Sequence, residues 1–154
     1  MFSHEYIIWI CVFAYAVHIL EEFILNWRDW AESAIGLKNL SWPIFYVVNS
    51  GVIVTGISSA MVGWHAPVFA LIIPALQLIN GIFFHILPTV KQRRFSPGVI
   101  TATILFLPIA SWAYVGAYLD HMLSIQTVAL SFVFGGLLMS TPIIFLTIKE
   151  KYNL

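Results

Sequence analysis

The chain has 154 residues, of which 60% are hydrophobic and only 9% carry a charge. Soluble domains carry about 25% charged residues, so this composition excludes an ordinary soluble domain and indicates an integral membrane protein. Seven basic and seven acidic residues give a formal net charge of zero, which argues against a nucleic-acid partner.

Five apolar stretches are long enough to cross a bilayer, which requires roughly 20 residues in a helix. Short connections that contain proline, glycine, aromatic or charged residues separate them. We therefore predict an all-α, polytopic membrane protein, with residues 1–154 forming one integral membrane domain built as a bundle of five transmembrane helices. The predicted spans cover residues 6–27, 42–63, 67–88, 97–118 and 124–148.

The segment that follows the first span has a mixed character. Trp27 and Trp30 are typical of the aromatic belt at a membrane surface, and charged residues lie among them. Gly36 is typical of the position just after a helix end. We therefore predict a short interfacial helix between the first and second spans.

The fourth span is predicted to begin at Ser96-Pro97-Gly98. Serine is a favoured capping residue, and proline is favoured in the first turn of a helix. The free amide groups at such a helix start can also receive an anion. The turn is therefore first a helix start and second a candidate anion site.

All seven Lys and Arg residues fall on one side of the predicted membrane. They follow the first span (Arg28 and Lys38), the third span (Lys91, Arg93 and Arg94) and the fifth span (Lys149 and Lys151). Because basic residues are enriched in cytoplasmic connections, we predict that the N-terminus lies outside and the C-terminus in the cytosol. We expect this membrane to be the cell membrane.

Three ionisable residues, His18, Glu21 and Glu22, lie inside the first apolar stretch. A charge there costs roughly 2.5–3.5 kcal/mol even on the lower scale of estimates. These groups therefore need partners, which are one another, a cation, or polar residues of other spans. Spacings of three and four residues place them within about 100° on one helix face, so they can converge on one point.

Polar residues of the other spans lie at a similar depth, counted at about 1.5 Å per residue from the cytosolic ends. At 100° per residue, Asn80 and His85 differ by about 140° in direction, so they cannot both face one atom. We predict that His85 faces the two glutamates and that Asn80 supports the site. The candidate substrate-binding or supporting residues are Asn49, Gln77, Asn80, Thr101 and Arg94.

Three segments resemble a known family. His18-Ile19-Leu20-Glu21-Glu22 is similar to the defining motif of the HXXEE-domain family of small integral membrane proteins. The stretch from Asn80 to His85 resembles its downstream Asn/His segment, and the stretch from Arg93 to Thr101 resembles its basic-aromatic-Ser-Pro-Gly turn. The resemblance as a whole covers nearly the entire chain. The resemblance implies a membrane domain built around His and Glu with an enzymatic role, but no particular reaction.

The first functional hypothesis is a membrane-embedded enzyme whose catalytic residues are His18, Glu21, Glu22 and His85. The same four residues are suitable ligands for a divalent metal, namely zinc, iron or manganese. A bound cation would explain how two adjacent carboxylates persist in a membrane. It would activate water to hydrolyse a lipid-like or isoprenoid substrate from the cytosolic leaflet, with one glutamate as general base.

Three alternatives stay open. The spacing of His18 and Glu22 in a small bundle resembles the sterol-isomerase group, which would make the protein a metal-free acid–base isomerase. The same carboxylates could form a proton or cation transport site, although the outer half lacks matching polar residues and the chain has no internal repeat. A homo-oligomer could then form the pore. The last alternative is a structural cluster of hydrogen bonds between helices.

Overall fold

In a computed structural model of the protein, residues 3–37 and 40–152 are described, and for residues 148–152 only the backbone is. Lys38 and the side chains of Lys149 and Lys151, which the sequence uses as markers of the cytosolic side, lie outside the described part. The described residues form helices joined by short connections, without a strand among them.

Six helices make up the described chain. They are α1 (Tyr6–Ile24), the short α2 (Trp27–Ile35), α3 (Trp42–His65), α4 (Pro67–Gln92), α5 (Val99–Leu119) and α6 (Ile125–Thr147). All except α2 are long and apolar enough to cross a membrane. The predicted all-α fold with five candidate spans is confirmed, and α2 follows the first of them.

Helix α4 lies at the centre of the bundle and α6 at its periphery. Within the most apolar part of each span, 56% of α4 is buried, against 11% of α6. The two helices meet closely at Gly135, where an added Cβ would lie 2.9 Å from the backbone nitrogen of Leu76. A residue without a side chain lets two helix backbones approach in this way. The outer faces of α6 are therefore left for lipid.

Two of the spans depart from regular α-helix where proline follows. Helix α4 is π-helical over Asn80–Ile86, and α5 is π-helical over Ala102–Phe106. Each segment ends two residues before a proline, Pro88 or Pro108. Proline has no N–H, and its ring crowds the carbonyl group four residues earlier. The wider i→i+5 turn accommodates the proline and changes the direction of side chains within the segment.

The two ends of the bundle differ in their charged residues. The basic end carries Arg28 in α2, Lys91 in the last turn of α4, and Arg93 and Arg94 just after it. The far end carries Asp120, which joins three separate parts of the chain.

The Asp120 carboxylate accepts hydrogen bonds from the backbone N–H of His4 at 2.6 Å and from Nε1–H of Trp64 at 2.7 Å. Its other oxygen lies 2.7 Å from Nδ1 of His4. Partial burial raises the pKa of Asp120, but the hydrogen bonds outweigh it and hold that pKa at about 2. His4 is thereby fastened to the end of α3 and to the α5–α6 connection.

We predict that Asp120→Asn lowers the thermal unfolding temperature in detergent at pH 7. The pKa of Asp120 in the folded protein lies below the unfolded value of about 3.9. Its contribution to stability is therefore complete above that value and is lost as the pH falls to about 2. The gap in unfolding temperature between wild type and variant should close over the same range. Glu32→Gln removes an exposed carboxylate and should have no such effect. A gap at pH 2 that is as large as the gap at pH 7 contradicts the role described for Asp120.

Candidate functional site

Three buried side chains meet in the half of the bundle nearer the basic end. His18 and Glu22 lie one turn apart on α1, and His85 lies in the π-helical segment of α4. Their exposed fractions are 1%, 5% and 0%. Oε1 of Glu22 lies 3.5 Å from Nε2 of His18 and 3.4 Å from Nε2 of His85. One ligand atom from each residue lies within 4.8 Å of the other two, and we call these residues the His–Glu–His group.

Both imidazole rings use Nδ1 for a hydrogen bond and direct Nε2 inward. Nδ1 of His18 lies 2.7 Å from the hydroxyl oxygen of Thr101, and Nδ1 of His85 lies 3.1 Å from that of Ser96. Neither Nε2 atom has a hydrogen-bond partner among the described residues. A buried polar atom without a partner costs roughly 1–3 kcal/mol. Two such nitrogens beside a buried carboxylate oxygen are suited to bind a cation or to share a proton.

The donor set fits a divalent cation. Two imidazole nitrogens and one carboxylate oxygen are the protein ligands of one common class of catalytic zinc site, and they also suit iron and manganese. Imidazoles that bind a metal almost always donate their other N–H to a neighbouring group. His18 and His85 each have such a neighbour in a hydroxyl group.

The Glu21 carboxylate has different partners from that of its neighbour Glu22. Its carboxylate accepts hydrogen bonds from the backbone N–H groups of Gly98, Ile100 and Thr101, at 2.9, 3.2 and 2.8 Å. The hydroxyl group of Thr101 donates a fourth, at 2.5 Å. The anion at the start of the fourth span is therefore a side chain of the protein itself. Glu21 does not belong to the His–Glu–His group.

The start of α5 differs from the expectation in one respect. The helix begins at Val99, with Gly98 as the preceding residue and no capping hydrogen bond from a side chain of this turn. The prediction that Ser96 caps the helix is wrong, because Glu21 of α1 supplies the acceptor for the free amides. The Ser96 hydroxyl group is thereby free to contact His85.

Gly98 packs directly against both imidazole rings. An added Cβ would lie 2.5 Å from Cε1 of His85 and 2.8 Å from Cε1 of His18. The backbone also has a φ of +101°, a conformation that favours glycine. The turn that precedes α5 thus closes one side of the His–Glu–His group.

A cavity of about 40 Å³ lies beside Glu22. At roughly 10–15 Å³ for each water by this measure, it has room for about three. Tyr15, Asn49 and Asn80 line it together with Glu22. The Tyr15 hydroxyl group donates to Oδ1 of Asn49 at 2.7 Å, and Oδ1 of Asn80 has no partner among the described residues. The remaining walls are apolar and include Ile44, Val48, Val52, Leu138 and Met139.

Asn80 and His85 both approach Glu22, since His85 contacts it and Asn80 lines the same cavity. The angle of about 140° expected between them assumes a regular α-helix, which Asn80–Ile86 does not form. In a π-helix the turn is wider, and residues five apart come closer to one face. The bulge before Pro88 therefore brings two polar side chains of α4 to the site.

Two predicted site residues lie away from the group. Gln77 is buried and donates a hydrogen bond to the carbonyl oxygen of Cys11 at 2.7 Å. Arg94 is exposed at the basic end and donates to the hydroxyl oxygen of Ser33 at 3.2 Å, which joins α2 to the α4–α5 connection. A direct role for either residue in the site stays a prediction.

Three residues of the site were not proposed from the sequence. Tyr15 lies three residues before His18, so its place on the same face of α1 could have been found from helical spacing. Ser96 and Gly98 were noted only as part of a helix start and candidate anion site. Their contacts with histidines of two other helices could not be predicted from the local sequence.

A family model described as a protein of unknown function with an HXXEE motif matches residues 9–113. The matched range includes the whole His–Glu–His group, Glu21 and the start of α5. No curated protein and no solved structure matches the chain.

We predict that Gly98→Ala destabilises the protein by roughly 2–5 kcal/mol, through overpacking against two imidazoles and left-handed backbone strain. Unfolding by SDS in mixed micelles would measure the loss. The matched control is Gly51→Ala, because an added Cβ there meets open space. That helical position should gain about 0.5–1 kcal/mol from the better helix former. Equal stabilities of the two variants would contradict the packing described for Gly98.

Proposed function

This chain belongs to the HXXEE family, and from that premise we propose that it is a membrane-embedded, metal-dependent enzyme that acts on a lipid-like or isoprenoid substrate. The observation that carries the proposal is the His–Glu–His group, whose three buried ligand atoms lie within 4.8 Å of one another. A cluster with only a structural role would be expected to give both Nε2 atoms hydrogen-bond partners, since buried polar groups rarely go without them.

His18, Glu22 and His85 would hold the cation, with zinc, iron and manganese as the candidates. Such a metal supplies Lewis-acid chemistry and an activated water when bound. The Glu22 carboxylate offsets part of the charge of the cation, and the Thr101 and Ser96 hydroxyl groups orient the two rings. Glu21 is a poor choice for the general base, because its carboxylate already accepts four hydrogen bonds.

Polar groups beside the metal ligands are placed to orient a substrate. Asn80 offers an unpartnered carbonyl oxygen, and Tyr15 and Asn49 form a hydrogen-bonded pair in the same cavity. The apolar walls favour a substrate with a hydrocarbon chain. At about 40 Å³ the cavity admits only water-sized groups, so a substrate chain requires α3 and α6 to separate. Helix α6 is suited to such a movement, because little of it is buried.

The distribution of basic residues supports an orientation for the proposed enzyme. All Lys and Arg residues belong to one end of the five-span topology, which favours a cytosolic position for that end. With the N-terminus outside and the C-terminus in the cytosol of a cell membrane, the site would face the cytosolic leaflet. The substrate would then come from that leaflet.

A metal-free acid–base isomerase is the second candidate. Its support is the position of the Glu22 carboxylate within 3.5 Å of two imidazole nitrogens, among which a proton could be passed. Transport has less support, because wholly buried apolar side chains such as Ile7, Ile8 and Leu71 fill the core. A cation would have no polar path through them.

We predict that protein purified without chelator binds one divalent cation per chain, measured by elemental analysis. His18→Ala and His85→Ala should each lower the affinity by more than the roughly 10–100-fold typical of losing a supporting hydrogen bond. His121→Ala, which changes an exposed histidine in the α5–α6 connection, should bind as wild type does. Wild-type protein that takes up none of the three metals after reconstitution would exclude the metal-dependent enzyme and favour the isomerase.

The lipid-like substrate has a separate test. We predict that Val48→Trp fills the cavity and removes lipid that co-purifies with the wild type, as measured by mass spectrometry of extracts, while the bound metal is retained. Val48 lines the cavity, whereas its neighbour Val47 is 61% exposed on the lipid side. Val47→Trp should therefore retain both lipid and metal. Unchanged lipid in Val48→Trp would contradict a lipid-like occupant of this cavity.

A further inference from the structure

We propose that Glu21 is a positioning residue, which acts through Thr101 to hold His18 in the tautomer that carries its proton on Nδ1. Nε2 of His18 is then free to bind a cation. This role rests on the metal site proposed above and gives the first glutamate of the motif a task distinct from that of Glu22.

The hydrogen of the Thr101 hydroxyl group points to Glu21. An ionised carboxylate can only accept hydrogen bonds, and Oε2 of Glu21 lies 2.5 Å from the hydroxyl oxygen. That distance is typical of a hydroxyl group that donates to an anion, for which about 2.5–2.7 Å is usual. The other nearby oxygen, the carbonyl of Gly98 at 3.3 Å, is also an acceptor. Thr101 therefore has no hydrogen left for His18.

The direction of the next hydrogen bond follows from the first. A hydroxyl group has one hydrogen and two lone pairs, so Thr101 can only accept from the imidazole at 2.7 Å. Nδ1 of His18 must then carry the proton. A neutral imidazole has a single N–H, which leaves a lone pair on Nε2, the nitrogen that faces Glu22 and His85.

The Glu21 carboxylate also fixes how close Thr101 lies to His18. We call the hydrogen bonds from Glu21 through Thr101 to His18 the relay. Three backbone N–H groups at the start of α5 bind Glu21, and the positive end of the helix dipole favours an anion there. The first turn of α5, which carries Thr101, is thereby held against α1, which carries His18. Position and tautomer of the ring are thus controlled by one side chain.

His85 has a weaker version of this arrangement. The Ser96 hydroxyl group lies 3.1 Å from Nδ1 of His85, and the acceptor available to its hydrogen is the Pro97 carbonyl oxygen at 3.4 Å. No carboxylate polarises Ser96 among the described contacts. Removal of the Ser96 hydroxyl group should therefore affect metal affinity less than removal of the Thr101 hydroxyl group.

The test compares Thr101→Val, which keeps the shape of the side chain, with Thr101→Ser, which keeps the hydroxyl group. Zinc affinity is measured by competition with a chromophoric chelator, and ¹⁵N NMR of histidine-labelled, metal-free protein reports the tautomer of His18. We expect Thr101→Val to weaken zinc binding by about 10–100-fold and to remove the Nδ1–H signature of His18. Thr101→Ser should restore both.

The matched control is Thr103→Val. Thr103 is exposed, lies two residues further along α5 and donates only to the Val99 carbonyl oxygen. The Thr103→Val substitution should leave the zinc affinity and the His18 spectrum unchanged. Ser96→Ala should fall between Thr103→Val and Thr101→Val in zinc affinity.

The two proposals fail in different ways. Wild-type protein that binds none of zinc, iron and manganese overturns the metal site, while the spectrum still reports the tautomer. Zinc binding that is equal in Thr101→Val and Thr103→Val overturns the relay and leaves the metal site standing. A wild-type spectrum with the His18 proton on Nε2 also overturns the relay, and it requires no variant to fold.

Discussion

A carboxylate enclosed by an apolar bundle needs a positive or hydrogen-bonding partner, because an isolated buried charge is very costly. Glu22 is 95% buried, and its Oε1 lies within 3.5 Å of the Nε2 atoms of two imidazoles. The rest of the site follows from this constraint. Helix α4 widens to present His85, the turn before α5 has glycine where it meets both rings, and two hydroxyl groups occupy the outer nitrogens.

The two adjacent glutamates of the motif contact different groups. Glu22 faces inward to the histidines, whereas Glu21 faces the free amides of α5. Adjacent residues on a helix differ by about 100° in direction, so one pair of carboxylates can serve two neighbouring helices. Chemistry and architecture are thereby joined at a single turn of α1, and a substitution at either position affects both.

Much of the fold and part of the site could be predicted from the sequence. Long apolar stretches identify the five spans, because a bilayer demands them, and depth along each span places His18, Glu22 and His85 at one level. The direction of Glu21 could not be predicted, since it depends on amide groups 77 to 80 residues away. The relative direction of Asn80 and His85 could not be predicted from 100° per residue, because the widening before Pro88 changes the helical period. Ser96 was misjudged as a cap, since a side chain from another helix had taken that role.

The contact between Glu21 and Thr101 spans 80 residues of sequence, and this separation bears on biosynthesis. Helix α1 leaves the ribosome before α4 and α5. At that stage His18 and Glu22 have only each other, and the partners of Glu21 are not yet made. These side chains would face lipid, at a considerable cost, until α4 and α5 have been synthesised. Insertion of the first span is therefore coupled to that of the fourth, and α1 is expected to stay beside the insertion machinery until α5 arrives.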